Sequence, residues 1–159
     1  MISLSLVTVG TLKEAYLREA IEEYKKRLSQ YARVDDINIK EEKIADEDNP
    51  ALVKAALDAE GEKILSAIPK DCRKVALCVE GKALSSEELA REVERLSDEC
   101  GRIAFIIGSS HGLSPKVKSA ADMRLSFSKM TFPHQLMRVI LVEALYRSMT
   151  IIAGKKYHK

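Results

Sequence analysis

Strand-like and helix-like patterns alternate along the whole chain of 159 residues. The strand-like segments are short, apolar and rich in β-branched residues, and the intervening segments repeat their apolar residues at helical spacing. The predicted strands are residues 2–9, 34–39, 74–80, 102–107 and 123–127. Strands that alternate with helices form βαβ units. The predicted fold class is therefore α/β: one domain over residues 1–159, with a mostly parallel sheet and helices on both faces.

Helix signals agree with this pattern. The predicted helices are residues 11–32, 51–67, 85–100, 114–121 and 133–152. Ser85 and Glu88 have the S-x-x-E spacing of a capping box, and Pro133 suits a first helical turn. Residues 41–50 are acidic, poor in apolar side chains and closed by Pro50, which predicts a surface loop. The last helix is apolar almost all round, so it needs cover on two sides, and we expect a homodimer.

Composition excludes several classes of protein. No apolar run approaches the ~18 residues of a membrane-spanning helix, and the first residues lack the features of a signal peptide. Three cysteines without CxxC or Cys/His pairing argue against a disulfide framework and a zinc site. We therefore expect a cytoplasmic protein with no membrane association and no metal.

Charge is distributed unevenly. Residues 1–100 carry a net charge of −6, whereas residues 101–159 carry +8. A basic C-terminal part indicates contact with a polyanion, and nucleic acid is the first candidate. The whole chain carries only +2, which is too little to hold free RNA tightly through its phosphates.

The candidate loops for a ligand site are Cys78–Lys82, Gly108–Gly112 and Leu125–Phe132, because open parallel sheets bind ligands at the carboxyl ends of their strands. Gly108–Gly112 (GSSHG) offers glycines and hydroxyls just after a buried strand, although an ordinary strand-to-helix turn fits the pattern equally well. Ser126–His134 (SFSKMTFPH) combines hydroxyls with phenylalanines before a helix start, which suits an adenosine-like ligand. Its alternative is a packed loop whose hydroxyls bond to the backbone, and the local pattern slightly favours that alternative.

Specific segments resemble the RlmH (YbeA-like) family of ribosomal RNA large-subunit pseudouridine-N3 methyltransferases, in the SPOUT superfamily. They are FIIGSSHGLSP (105–115), LSFSKMTFPHQLMRVILVEALYR (125–147), the closing YHK (157–159), LVTVGTLKEAYLREAIEEYKKRL (6–28) and VEGKALSSEELA (79–90). The resemblance implies a C-terminal trefoil knot, which periodicity alone could not suggest. It also implies a homodimer that uses S-adenosyl-L-methionine to methylate N3 of a pseudouridine in 23S rRNA of assembled ribosomes.

The resemblance also assigns site residues. The cofactor contacts would be Leu77, Gly108, Phe127, Ser128, Lys129, Met130, Thr131 and Phe132. This chain has Ser109 where the family usually has a second glycine, so the path of that loop is open to question. The N3–H proton needs an acceptor. His158 is the candidate, with Tyr157 stacking on the base and Arg138, Lys155, Lys156 and Lys159 contacting phosphates. Alternatively, water accepts the proton and the tail only docks RNA.

Three other functions compete with this one. A related methyltransferase could act on another nucleotide or on ribose. A ribosome-binding factor that has lost catalysis would bind ribosomes with or without cofactor. A flavodoxin-like enzyme of small nucleotides would not depend on ribosomes at all.

Overall fold

Five strands and five helices alternate in the computed structural model, which describes all residues from 1 to 159. The strands are β1 (Ile2–Val9), β2 (Ala32–Ile39), β3 (Arg73–Ala83), β4 (Arg102–Ile107) and β5 (Met123–Ser126). The helices are α1 (Ala15–Leu28), α2 (Pro50–Ala67), α3 (Ser86–Cys100), α4 (Pro115–Ala120) and α5 (His134–Ile152). Every predicted element is present.

All five strands belong to one parallel sheet, in the order β2-β1-β4-β3-β5. The predicted α/β class is thereby confirmed, and the carboxyl ends of the strands all meet at one edge. The trefoil knot stays a prediction from the resemblance.

Helices cover both faces of the sheet. One core cluster joins β1, β4 and β3 to α1, α3 and α5 through side chains such as Leu4, Phe105 and Leu145. The second cluster joins the opposite face to α2 and α4 through side chains such as Ile106, Ile64 and Val117. The central strand β4 is buried on both faces from Ile103 to Ile107, which explains its uninterrupted apolar sequence.

Most element boundaries differ from the predictions by one or more residues, and three of the differences concern α1, β3 and the start of α5. Helix α1 is shorter than the predicted 11–32 because Gly10 turns the chain at φ +82° and Ala32 already pairs with Ile2 in the sheet. Strand β3 is longer than predicted. Leu77 and Lys82 both pair with Leu125, so the strand bulges between these two residues. Pro133 is the N-cap of α5 rather than its first helical residue.

Helix α5 lies between α1 and α3 on its face of the sheet. Part of the apolar surface of α5 is therefore buried against helices of the same chain. Its outer side leaves Leu136 38% exposed, and α1 leaves Tyr16 68% exposed. None of the helices combines the length and apolarity that a membrane crossing would require.

The capping box at the start of α3 provides a test of local stability. Ser85 Oγ accepts a hydrogen bond from the Glu88 N–H (3.1 Å), and Glu88 Oε2 accepts one from the Ser85 N–H (2.7 Å). We expect Ser85→Ala to lower the free energy of unfolding by about 1 kcal/mol in urea denaturation followed by circular dichroism. Ser86→Ala, one position further along, is the matched control and should change it by less than about 0.5 kcal/mol. Equal effects of the two substitutions would contradict the capping role.

Candidate active site

A cleft of about 640 Å³ opens at the carboxyl edge of the sheet, where β3, β4 and β5 end. This is the place where open parallel sheets bind ligands, and the volume lies within the range of small-molecule sites. Its walls come from three segments of the chain and from two helices. They are residues 77–80, 107–113 and 125–134 without Lys129, together with Lys118 of α4 and Met137 of α5.

The loop after β4 folds tightly back on itself. The Gly112 N–H donates to the Ser109 carbonyl at 2.9 Å, and Gly112 adopts φ +87°. A Cβ on Gly108 would lie 2.2 Å from the Gly112 carbonyl oxygen, so only glycine fits there. Ser109 is buried and Ser110 is exposed. The loop therefore presents its backbone to the cleft at close range.

The bulge of β3 between Leu77 and Lys82 forms the second wall of the cleft. A Cβ on Gly81 would lie 2.7 Å from the backbone carbonyl carbon of Leu125. Only glycine therefore allows the backbone of β3 to lie this close to β5. Residues 78–80 line the cleft as a result. At its rim the Lys118 ammonium contacts Glu80 Oε1 at 2.5 Å and lowers the pKa of that carboxyl below its ordinary value.

The segment between β5 and α5 forms the third wall. Ser126 Oγ donates to the Ser128 carbonyl at 3.0 Å, and Ser128 Oγ accepts from the Met130 N–H at 2.9 Å. Two of its hydroxyls thus bond to backbone groups, as the packed-loop alternative predicted, yet the segment also lines the cleft. The hydroxyls shape the loop, and Phe127 and Phe132 supply apolar surface.

The cleft brings together nearly all the residues that the resemblance assigned to the cofactor. Leu77, Gly108, Phe127, Ser128, Met130, Thr131 and Phe132 line it. Lys129 does not line it and is exposed to solvent. The lining also includes His134, which closes the candidate segment Ser126–His134, and two residues outside the candidate loops, Lys118 and Met137. Lys118 and Met137 lie on helices, and their helical pattern in the sequence carries no sign that they face a cavity.

His134, at the start of α5, has a lowered pKa in this site. Burial and then the nearby Arg138 guanidinium lower the pKa of its imidazole below the ordinary value of 6.5, against a smaller opposite effect of Glu41. Both effects favour the neutral imidazole over the imidazolium, and they also make it a weaker base.

The C-terminal tail is docked on α5 and α3, away from the residues that line the cleft. Tyr157 donates its hydroxyl to Glu143 Oε1 at 3.1 Å, and its ring lies 4.7 Å from that of Tyr146. His158 lies between two charged groups: Nδ1 is 3.2 Å from Arg147 Nη1, and Nε2 is 2.8 Å from Glu87 Oε1. In this conformation the His158 imidazole and the Tyr157 ring are both engaged with protein side chains rather than with a nucleobase.

The predicted phosphate contacts divide into two groups. Lys155, Lys156 and Lys159 are exposed on the tail. Arg138 differs from the prediction because only 7% of it is exposed, and its Nη2 donates to the carbonyls of Val9 (2.8 Å) and Gly10 (3.0 Å). It joins α5 to the end of β1 instead of facing solvent. No group of three or more His, Cys, Asp or Glu side chains is placed to hold a metal ion.

A parallel α/β sheet with a cleft at its carboxyl edge places this chain in the class of open α/β proteins, which bind ligands at the ends of their strands. Comparison with known proteins narrows this class. The family model described as "Predicted SPOUT methyltransferase" matches residues 2–158. The chain belongs to this family and is a methyltransferase.

Curated relatives agree over nearly the whole length. The chain is 47% identical over 158 residues to "Ribosomal RNA large subunit methyltransferase H" of Bacillus pumilus, covering 99% of each chain. It is 46% identical to the proteins of the same name from Shouchella clausii and an Exiguobacterium species, again covering 99% of each chain.

Two solved structures share the fold at low sequence identity. The first is a probable methylase family protein from Haemophilus influenzae, with a TM-score of 0.54 and 15% identity. That likeness covers 99% of this chain and 70% of the other. The second is a probable methyltransferase from Bordetella pertussis, with a TM-score of 0.58 and 14% identity. It covers 92% of this chain and 95% of the other.

The docked tail predicts an alkaline transition. Burial, followed by the hydrogen bond to Glu143, raises the pKa of Tyr157 from 10.0 to about 12. The folded protein keeps this proton longer than the unfolded chain, so the stabilisation is present below pH 10 and is lost as the pH rises towards 12. Urea denaturation of wild type and Tyr157→Phe between pH 9 and 11.5 measures it. Wild type should lose stability more steeply above pH 10, and parallel curves would contradict the docked arrangement.

Proposed function

We propose that this chain transfers a methyl group from S-adenosyl-L-methionine to N3 of a pseudouridine in large-subunit (23S) rRNA of assembled ribosomes. The observation that carries the proposal is the whole-length identity of 47% to relatives named for ribosomal RNA large subunit methylation. The cleft described above supports it, because seven of the eight residues assigned to the cofactor line that cleft together.

The chemistry of the cleft fits S-adenosyl-L-methionine. Phe127, Phe132 and Leu125 offer apolar surface for an adenine ring, and the Ser109–Gly112 turn brings polar backbone close. A side chain at Gly108 would obstruct this turn. When bound, the cofactor supplies an electrophilic methyl group on its sulfonium.

The protein must then orient the pyrimidine and remove one proton. The N3–C bond forms as the methyl–sulfur bond breaks, and the N3–H proton passes to an acceptor, leaving S-adenosylhomocysteine. We assign this acceptor to His158, with Tyr157 stacking on the base. His158 would first have to leave its contacts with Arg147 and Glu87. His134, which lines the cleft as a neutral imidazole, is the alternative acceptor.

RNA contacts are assigned to the exposed lysines of the tail, Lys155, Lys156 and Lys159. Arg138, the fourth residue predicted to contact phosphates, is less accessible to RNA than these lysines because its guanidinium is buried against backbone carbonyls. A net charge of +2 suits recognition of a shaped ribosomal surface better than tight binding of free RNA.

The working form is proposed to be a homodimer. The partly exposed outer side of α5 at Leu136 and the exposed Tyr16 of α1 support a partner surface there. Light scattering at micromolar concentration should give twice the chain mass of 17.7 kDa, and Leu136→Asp should shift the protein towards a monomer. A wild-type mass of one chain at that concentration would contradict the dimer.

The activity is tested by transfer of a tritiated methyl group to intact ribosomes that lack the modification, with free 23S rRNA in parallel. We expect label on ribosomes alone, at a pseudouridine in nuclease digests. Label on ribose or on another base would overturn the assigned position. Tight ribosome binding without any label would favour a non-catalytic binding factor.

Two histidine variants separate the candidate proton acceptors. We expect His158→Ala to lower kcat by about 100-fold or more, the usual size of a lost acid–base group, with the cofactor Kd unchanged. His134→Gln is its counterpart in the cleft and should lower kcat much less. The opposite ranking would transfer the role to His134, and full activity in both would leave water as the acceptor.

A further inference from the structure

Glu60 is the only acidic side chain that is buried in this protein, with 3% of its surface exposed. It lies in the second half of α2, and no cation neutralises it. The neighbouring lysines are engaged elsewhere: Lys63 forms an ion pair with Glu42, and Lys116 forms one with Glu62. A buried carboxylate without a counter-ion costs stability.

The carboxylate of Glu60 joins two segments that are distant in sequence. Its Oε2 accepts a hydrogen bond from the Glu42 N–H at 2.9 Å, which holds the start of the acidic segment, residues 41–49. The hydroxyl of Ser109, in the glycine loop 108–112 of the cleft, faces the same carboxyl and lowers its pKa, against the larger raising effect of burial. Ser109 is itself buried. One side chain thus connects a surface segment to the wall of the active site.

The neighbouring glycine explains how Glu60 reaches this position. A Cβ on Gly61 would lie 2.4 Å from Ser114 Oγ and 3.1 Å from Val117 Cγ2. Helix α2 therefore packs directly against the chain that follows the glycine loop. Ser114 is fixed in turn, because its hydroxyl accepts from the Val117 N–H as the N-cap of α4.

A second contact links the same two segments nearer the solvent. His111 Nε2, in the glycine loop, lies 3.4 Å from Glu47 Oε1, in the acidic segment. The acidic segment is therefore attached to the glycine loop at two points, one buried and one near the surface. Its position and that of the loop are coupled through Glu60.

We propose that Glu60 is a positioning residue of the active site, which holds Ser109 and the glycine loop in the shape that binds the cofactor and couples that shape to the acidic segment. The first part rests on the cofactor named under Proposed function. The role is one of orientation, because Glu60 is not among the residues that line the cleft.

Substitutions of Glu60 test the proposal with titration calorimetry of S-adenosylhomocysteine. We expect Glu60→Ala to weaken binding about tenfold, equivalent to one lost hydrogen bond to a charged group. Glu60→Gln keeps an acceptor for the Glu42 N–H and should stay within about threefold of wild type. Glu62→Ala is the matched control: it removes an exposed carboxylate two residues away and should not change affinity.

Steady-state kinetics and hydrogen exchange separate positioning from a general structural effect. In Glu60→Ala, KM for the cofactor should rise about tenfold while kcat changes by less than about threefold. In the ligand-free protein, amides of residues 41–49 and 108–112 should both exchange faster, while those of β1 and β4 stay protected. Faster exchange confined to α2, or spread over the whole sheet, would overturn the coupling.

Ser109→Ala keeps the proposal testable if Glu60→Ala does not fold. Removal of this hydroxyl should weaken cofactor binding in the same direction, whereas Ser66→Ala, at an exposed serine of α2 that does not line the cleft, should not. Affinity within twofold of wild type in both Glu60→Ala and Ser109→Ala would overturn the positioning role. Failure of wild type to bind the cofactor would instead reject the cofactor proposal, and exchange in the ligand-free protein would still decide the coupling.

Discussion

Parallel pairing of every strand is the constraint on which the rest of this structure depends. It places the ends of β3, β4 and β5 at one edge, so three segments that are far apart in sequence meet around one cleft. Parallel pairing also requires long connections, and the helices that provide them cover both faces of the sheet. Residues 103–107 of the central strand β4 then lie in the core, and the loop 108–112 follows directly from this buried strand.

The walls of the cleft depend on close backbone approach. Gly108 allows the loop after β4 to fold back on itself, and Gly81 allows β3 to return to the sheet beside Leu125. At both positions an added Cβ would clash with backbone atoms, so any other residue would require the backbone to move. Each glycine loses more conformational entropy on folding than other residues, and in return it defines the shape of the cleft wall.

Two buried charged residues hold this edge of the molecule together. Arg138 donates from α5 to the carbonyls of Val9 and Gly10, while Glu60 accepts from the Glu42 N–H on the opposite face. Each carries the desolvation cost of a buried charge without a strong ion pair. Chains often retain such costs near functional sites, where orientation matters more than stability. The C-terminal tail, by contrast, is held at the surface by Glu143, Arg147 and Glu87.

The sequence by itself determined the order and type of all ten elements, because apolar periodicity and caps such as Ser85 act locally. It also predicted a ligand site at the strand ends, and the resemblance named residues that line the cleft there. Only the tertiary structure decided that Arg138 faces backbone carbonyls, that His158 lies between Arg147 and Glu87, and that Glu60 accepts from the Glu42 N–H. The surroundings of a charged side chain come from segments distant in sequence, so no local pattern records them.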